Sequence, residues 1–443
     1  MTKFKLSKYI VFTKKINDRN ERIAYSIRSS KPFLLSPNVY NALKTENYKQ
    51  IPQEVSQILY RNKILVNNDE NELITIINEN KNIASTFTKH LYEVIQPTAN
   101  CQLDCSYCGQ THSELSMSRE IIEKTTQKII GKFKKNKYKE LTIGWFGGEP
   151  LLAINEMRVI TKIIKKFCNS NSIKYSAKVV TNGVLLNKDC FKTLINELNV
   201  QYIEITLDGN KIYHDKYRST KEKQGSFDTI ISNLIEIVKI KEFHKLNCEI
   251  SIRCNVNKYN EEGVFPLLKI LKRLNLHQYV QFYVKSIYSW GQNNADEHSL
   301  EPILFAKKEI NWIKEMIKLS FPVVINIPKR KSIICIATSP FSEMYDAGGN
   351  VFVCSETSYS KIYENSIYHI GNLKNSLDTA ENRIFTSWQD EIRYNKKIPC
   401  KTCKFLPVCG GACPKAWKEG KVPCPSFKYN LGDKLLLKYS LSH

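Results

Sequence analysis

The chain has 443 residues with 42% apolar content, enough for folded cores and long enough for two or three domains. Lys and Arg exceed Asp and Glu by 66 to 43, a formal charge of +23 that suits nucleic acid, an anionic membrane or an acidic peptide, although recurrent Lys/Ile/Asn mixtures also spread charge over solvated faces. No segment approaches the roughly 18 apolar residues of a membrane span, and the N-terminus has no signal-peptide core; the 14 cysteines are therefore expected to be reduced and the protein cytoplasmic.

In chain order, residues 1–90 hold no cysteine. YIVFTKK and ERIAYSIR read as strands joined by the turn-rich INDRN. SPNVYNALKT opens a helix with Ser36 as N-cap and Pro37 at its first position, and IPQEVSQILYRNKILV reads as a second helix running into a β-branched strand. This order of hairpin, helix, helix and strand is similar to the winged-helix domain that recognises leader peptides of ribosomally made, modified peptides. A small α+β unit without a ligand is the alternative.

From about residue 91 to 325, short apolar strands alternate with longer helical stretches: LYEVIQPT, SREIIEKTTQKIIGKF, ELTIGWF, NEMRVITKIIKKF, YSAKVVT, FKTLINELN, YIEITLDG. Alternation of this kind argues for βαβ units and a parallel sheet, an α/β fold curled into a full or partial barrel with its active residues after the strand ends. CQLDCSYC follows the first strand and GGEP the second, which puts both on one rim.

Thiolate is a soft ligand, and local cysteines hold zinc or an iron-sulfur cluster. A structural zinc wants four protein ligands, so three cysteines either await a distant fourth or hold a cubane with one iron open. In GWFGGEP two glycines allow a close backbone approach and Glu149 offers a carboxylate to an ammonium group. Together these motifs resemble the radical S-adenosylmethionine (SAM) family. The resemblance implies a partial (β/α)6 TIM-like barrel in which a three-cysteine four-iron cluster binds SAM through its amino and carboxylate groups. Reduction then yields a 5′-deoxyadenosyl radical that abstracts hydrogen. Cys101, Cys105 and Cys108 match the cluster ligands, Tyr107 the aromatic position beside adenine, and Gly147, Gly148 and Glu149 the segment that meets the SAM amino group.

Further contacts are open. Asn182 in VVTNGVLL could reach ribose or simply make a turn. IEITLDG and EISIRCNV each alternate apolar with polar residues, so Thr206 and Arg253 lie on a polar face suited to a lined cavity. Arg253 and Arg218 are rivals for the SAM carboxylate, and either could instead form an ion pair.

The tail from about 326 carries seven cysteines, spaced C-x13-G-x4-C, C-x2-C-x5-C-x3-C and a final C. This resembles the SPASM domain, the auxiliary-cluster extension of radical SAM enzymes that modify peptides and proteins; zinc on the same ligands is the alternative. The resemblance implies an outer four-iron cluster on Cys400, Cys403, Cys409 and Cys424. It implies an inner one on Cys335, Cys354 and Cys413, with a fourth ligand missing upstream. Cys168, Cys190, Cys248 and Cys254 sit singly in apolar patterns and read as packing residues.

The resulting expectation is an N-terminal leader-recognition domain (1–90), a radical SAM core (91–325) and a SPASM domain (326–443). Such an enzyme would use SAM and three 4Fe-4S clusters to modify a precursor peptide, whose leader would be acidic to suit the basic rim, with flavodoxin or ferredoxin as electron donor and no nucleic acid or membrane partner. The sequence names no catalytic acid or base. A sulfatase-maturase-like dehydrogenase is the alternative within the family, and a zinc-containing nucleic-acid-binding protein is the alternative outside it; the latter leaves GGEP unexplained.

Overall fold

The computed structural model describes residues 4–86, 89–289, 291, 293–375 and 383–442. Its first elements are β1 (Phe4–Leu6), β2 (Ile10–Phe12), β3 (Arg22–Ser26), β4 (Lys31–Leu35), α1 (Pro37–Lys44), α2 (Gln53–Arg61), β5 (Leu65–Asn67) and α3 (Glu72–Thr86). β2, β3 and β4 form an antiparallel sheet in that order, and β1 pairs with β5. Ser36 Oγ accepts from Val39 N at 3.4 Å, capping α1, and Pro37 fits the first turn because its missing N–H would be unpaired there. The hairpin, two helices and β5 are legible from sequence; β1, β4 and α3 are additions. β4 carries Pro32, which reads as a strand breaker and is tolerated because β4 is an edge. The start of α3 is fixed by charge: buried Arg28 pairs with Glu70 at 2.8 Å and Glu72 at 3.1 Å.

The centre of the chain alternates strand and helix: β6 (His90–Ile95), α4 (Arg119–Lys135), β7 (Glu140–Trp145), α5 (Ile154–Ser170), β8 (Lys174–Thr181), α6 (Lys188–Asn196), β9 (Val200–Thr206), α7 (Lys211–Tyr217), α8 (Phe227–Val238), β10 (Glu249–Val256), α9 (Val264–Arg273), β11 (Val280–Ser286) and α10 (Pro302–Lys318). β6 to β11 pair in sequential order, all parallel, as crossover helices require. The longer helices bury apolar stripes, as in α5, where Met157, Ile160, Ile164 and Cys168 recur at helical spacing. β11 ends the sheet on one side, so the six parallel strands form an open α/β sheet.

On the other side the sheet continues into the tail. β12 (Met344–Tyr345) pairs parallel with β6, and β13 (Asn350–Phe352) and β14 (His369–Asn372) follow antiparallel, giving nine strands without a break. Then come α11 (Trp388–Tyr394), α12 (Leu406–Cys409), α13 (Pro414–Lys418) and α14 (Phe427–Ser442). α14 returns to α10, where Glu309 accepts from Asn430 Nδ2 and Lys434 Nζ, both at 2.8 Å. Tyr25, Ile76, Trp388, Ile392, Leu406 and Leu431 share one core, so the N-terminal unit packs directly on the tail.

A buried charge network locks the tail to β6. Lys132 Nζ meets Glu93 Oε1 at 2.6 Å and Glu343 Oε2 at 2.8 Å, and Arg383 Nη2 meets Glu343 Oε1 at 2.6 Å. Burial drives the Glu93 carboxyl up to about 7, whereas Lys132, Lys128 and Arg383 hold Glu343 down to about 2 in spite of its burial. Among the described residues no helix is long and apolar enough to cross a membrane.

Candidate active site

The loops after the parallel strands meet at one rim. The loop after β6 carries Cys101, Cys105 and Cys108, and the turn after β7 is zipped against it: Glu149 N donates to Asn100 O at 2.8 Å and Gly148 N to Thr98 O at 3.4 Å. This approach explains the glycines. A Cβ on Gly148 would stand 2.3 Å from Asn100 O, and Gly147 has φ +123° with Thr98 O 2.9 Å from where its Cβ would be. The close neighbour of both is the chain's own cysteine loop.

Glu149 is fully buried, and its carboxylate accepts from Leu151 N (3.0 Å), Thr181 Oγ1 (2.7 Å) and Asn182 N (2.7 Å). A carboxylate has about four acceptor sites, so one is left for an ammonium. Asn182 also turns its side chain inward: Nδ2 lies 3.7 Å from Cys101 Sγ, while Oδ1 accepts from Val184 N and Gln102 Nε2. Its amide thus meets a sulfur rather than standing free.

Backbone N–H groups are aimed at the sulfurs, from Leu103 to Cys101 and from Gln110 to Cys108. Burial pushes the Cys101 thiol up to about 11 and Cys105 up to about 12, so the triad is neutral until a metal deprotonates it.

The other side of the cysteine loop pairs with residues 217–221. Asp104 N donates to Ser219 O at 2.9 Å and Ser106 N to Tyr217 O at 3.1 Å, which carries Arg218 beneath the thiols. Arg218 Nη1 donates to Tyr107 Oη at 2.6 Å; the phenol in turn donates to Asp208, and Asn255 Nδ2 donates to it at 3.3 Å. Asp208 is fully buried, and burial raises its carboxyl against the pull of Arg218. His214 fixes this corner from behind, its Nδ1 accepting from Asp208 N and its Nε2 facing Ser226 Oγ. Burial and Arg218 push its imidazole well below the usual range, so it stays neutral.

Arg218 Nε and Gln102 Oε1 are buried without a hydrogen-bond partner among the described residues. Such unpaired donors and acceptors beside three thiols fit a polar ligand of SAM's kind. Arg253 reaches the same node through Asn255, donating to Asn255 Oδ1 at 2.7 Å, and pairs with Glu204 at 3.5 Å. Thr206 is buried at the end of β9, opposite Arg253 in the strand register.

Deeper in, the sheet shows the polar interior face expected from the alternation in IEITLDG and EISIRCNV, to which Lys178 and Lys285 are additions. Glu204 accepts from Tyr283 Oη at 2.5 Å, and Lys178 Nζ stands 4.4 Å from the centre of the Tyr92 ring. Burial lowers both Lys178 and Lys285.

In the tail the cysteines fall into two groups. Cys400 lies within electrostatic reach of Cys403, Cys409 and Cys424, and Lys428 Nζ stands 3.4 Å from Cys424 Sγ. Cys354 lies within reach of Cys335 and Cys413. Backbone N–H groups again point at sulfurs, from Ala337 and Thr338 to Cys335 and from Ala416 to Cys413. Among the described residues no three His, Cys, Asp or Glu converge on a point that one metal ion would fill. A cubane takes each thiolate on a different iron and so tolerates a wider spread, and hydrogen bonds to its sulfurs tune its potential. The donor set fits such clusters. Cys168, Cys190, Cys248 and Cys254 pack in or against the main apolar core.

Residues 95–244 match the family model of the radical SAM superfamily. The cysteine-type anaerobic sulfatase-maturating enzyme of Clostridium novyi is 26% identical over 77% of this chain and 94% of its own length. The serine-type anaerobic sulfatase-maturating enzyme of Bacteroides thetaiotaomicron is 23% identical over 74% and 84%. Among solved structures, native anSMEcpe with bound AdoMet aligns with a TM-score of 0.57 at 19% identity, covering 80% of this chain and 97% of its own. SuiB of Streptococcus suis aligns with a TM-score of 0.51 at 15% identity, covering 95% and 98%. Residues 95–244 are therefore a radical SAM domain, and the chain is a radical SAM enzyme.

Proposed function

We propose that this enzyme is a peptide maturase. Cys101, Cys105 and Cys108 hold the SAM-binding cluster, and the seven tail cysteines hold an inner and an outer auxiliary cluster. The substrate is a ribosomally made precursor peptide whose leader docks on the N-terminal unit. When bound, the cluster and SAM supply a hydrogen-abstracting radical. The chain's own residues position the reactants. Arg218 Nε would meet the SAM carboxylate and Glu149 would offer its remaining acceptor site to the ammonium, while Tyr107 with Asp208 and Asn255 holds Arg218 in place. Glu204, Arg253 and Lys178 line the side where the peptide's polar backbone enters.

One observation carries the leader-peptide reading. anSMEcpe leaves a fifth of this chain unmatched while using 97% of its own length, whereas SuiB accounts for 95% of it. A fifth of the chain is the size of the N-terminal unit, which presents β4 as a sheet edge with Leu34 51% exposed. An extended peptide can add to such an edge through backbone hydrogen bonds, and an acidic leader suits the +23 chain.

The second reading, a sulfatase-maturating activity on a Cys or Ser side chain, is favoured by the Clostridium novyi relative. Anaerobically reconstituted enzyme with SAM and dithionite is given either a leader-bearing peptide encoded beside its gene or a sulfatase-derived Cys or Ser peptide. The proposal expects a mass change, such as loss of two hydrogens, in the former only, and its disappearance when the leader is removed. Turnover of the sulfatase peptide alone would support the second reading instead.

A further inference from the structure

Among the tail cysteines, the inner group has three members where a fully protein-held cubane has four, and one carboxylate stands with them. Glu356 lies two residues beyond Cys354 in the turn that follows β13. That turn is held rigidly: Thr357 Oγ1 donates to Cys354 O at 2.7 Å, Gln96 Nε2 donates to Ser355 O at 3.0 Å, and Ser358 Oγ donates to Gln96 Oε1. The backbone N–H of Glu356 points at Cys354 Sγ. Main chain and side chain of this residue therefore belong to one corner of the inner group.

Its carboxylate is the foremost charge acting on each of Cys335, Cys354 and Cys413. Glu356 and Cys335 are accessible by surface area although protein surrounds them, as expected of groups that line a shared hollow. The nearby cations are engaged elsewhere, Lys415 with Glu419 at 3.0 Å and Arg253 with Glu204 and Asn255. Among the described residues Glu356 receives no side-chain hydrogen bond and no ion pair within 4.0 Å, so its carboxylate is not committed to a protein partner. An uncommitted carboxylate that opens on a hollow lined by three thiols is a ready ligand for iron. The four remaining cysteines outside the radical SAM loop and the tail lie in or against the apolar core, so no further thiol is on hand.

We propose that Glu356 is the fourth protein ligand of the inner auxiliary cluster, one carboxylate oxygen binding the iron that no cysteine holds. This rests on the reading that Cys335, Cys354 and Cys413 bind a four-iron cluster. An iron with an oxygen ligand is harder and more readily exchanged than its thiolate-bound neighbours, which makes it the position where a substrate group or an electron partner would act.

The test uses the full-length chain with Cys101, Cys105 and Cys108 replaced by Ala, so that no open iron on the SAM loop contributes, reconstituted anaerobically with Mössbauer-active iron. The expected spectrum contains an oxygen-ligated iron subsite. Glu356→Cys removes that subsite with iron and sulfide unchanged, and Glu356→Gln loses about one iron per chain on mild oxidation, as a cubane does at an unprotected corner. Signals of the Cys400 group persist in each variant and report folding. Identical spectra and iron content in all three proteins would overturn the assignment. A Cys413→Ala chain that keeps the parent's full iron content would overturn the inner-cluster reading itself, a result distinguishable from the first.

Discussion

Arg218 Nη1 donates a 2.6 Å hydrogen bond to Tyr107 Oη, joining the segment after α7 to the middle of the three-cysteine loop. The same phenol donates to buried Asp208, which stands 3.8 Å from Arg218 Nη1, so one oxygen links a cation and a carboxylate at the floor of the site. Tyr107→Phe removes that node and leaves both charges less satisfied, a loss of about 1–3 kcal/mol. The expected outcome is roughly tenfold weaker SAM binding, by anaerobic equilibrium dialysis, with iron content unchanged; unchanged affinity would show that the phenol does not position Arg218.

Gly148 tests the contact between the two motifs. Its Cβ in Gly148→Ala would stand 2.3 Å from a backbone oxygen, so the turn after β7 must move away from the cysteine loop. A displacement on the order of 1 Å in a reacting geometry lowers rates about a hundredfold. SAM cleavage should fall by about that factor while the tail retains its iron, and a variant of normal activity would mean the two loops need not touch.

The Glu93–Lys132–Glu343 network predicts an asymmetric pH dependence. The folded-state carboxyl of Glu93 is raised to about 7, above the unfolded value of roughly 4.3, so its contribution is full below that lower value and is lost as pH rises through 7. Glu343 is depressed to about 2, so its contribution is present above roughly 4.3 and lost only as pH falls toward 2. Glu93→Gln cannot ionise and should gain stability relative to the parent between pH 5 and 7, by up to about 1.4 kcal/mol per pH unit, with no further gain above that. Glu343→Gln at neutral pH should lose about 3–5 kcal/mol by stranding Lys132 and Arg383. Thermal unfolding of the anaerobic holoenzyme at the two pH values reads both; pH-independent differences would contradict the scheme.

Trp388 couples the N-terminal unit to the outer cysteine group. It is 1% exposed, shares a core with Tyr25 and Ile76, and its Nε1 donates to Gly410 O at 2.8 Å beside Cys409. Trp388→Ala should destabilise by about 3–5 kcal/mol. Lower iron content in the tail and faster proteolysis of residues 4–86 are expected together, whereas loss of one without the other would separate the two regions.

Much of this site could be read from the chain because iron chemistry imposes short-range spacing: Cys101, Cys105 and Cys108 are ligands-in-waiting within eight residues, and GGEP follows a strand. The βα alternation likewise carried the parallel sheet, whose order is sequential. What escaped depends on register and long-range approach. Asp208 and Asn255 acquire meaning only when β9 and β10 align so that Asn255 N donates to Asp208 Oδ1 at 2.7 Å. Glu356 is an unremarkable glutamate until folding brings Cys335 and Cys413 to Cys354. The tail reads as a separate loop-rich unit because β12 to β14 are too short to signal that they extend the central sheet. α3 was hidden by Ile, Thr and Asn, weak helix formers that packing overrides.

Three thiols on the loop after β6, Cys101, Cys105 and Cys108, are proposed to hold a cluster that cleaves SAM. The most direct measurement is 5′-deoxyadenosine formed from SAM and dithionite by anaerobically reconstituted full-length chain, beside its Cys105→Ala variant. The parent should produce the nucleoside, and the variant should produce none while keeping the iron of its tail; equal production by both would contradict the claim.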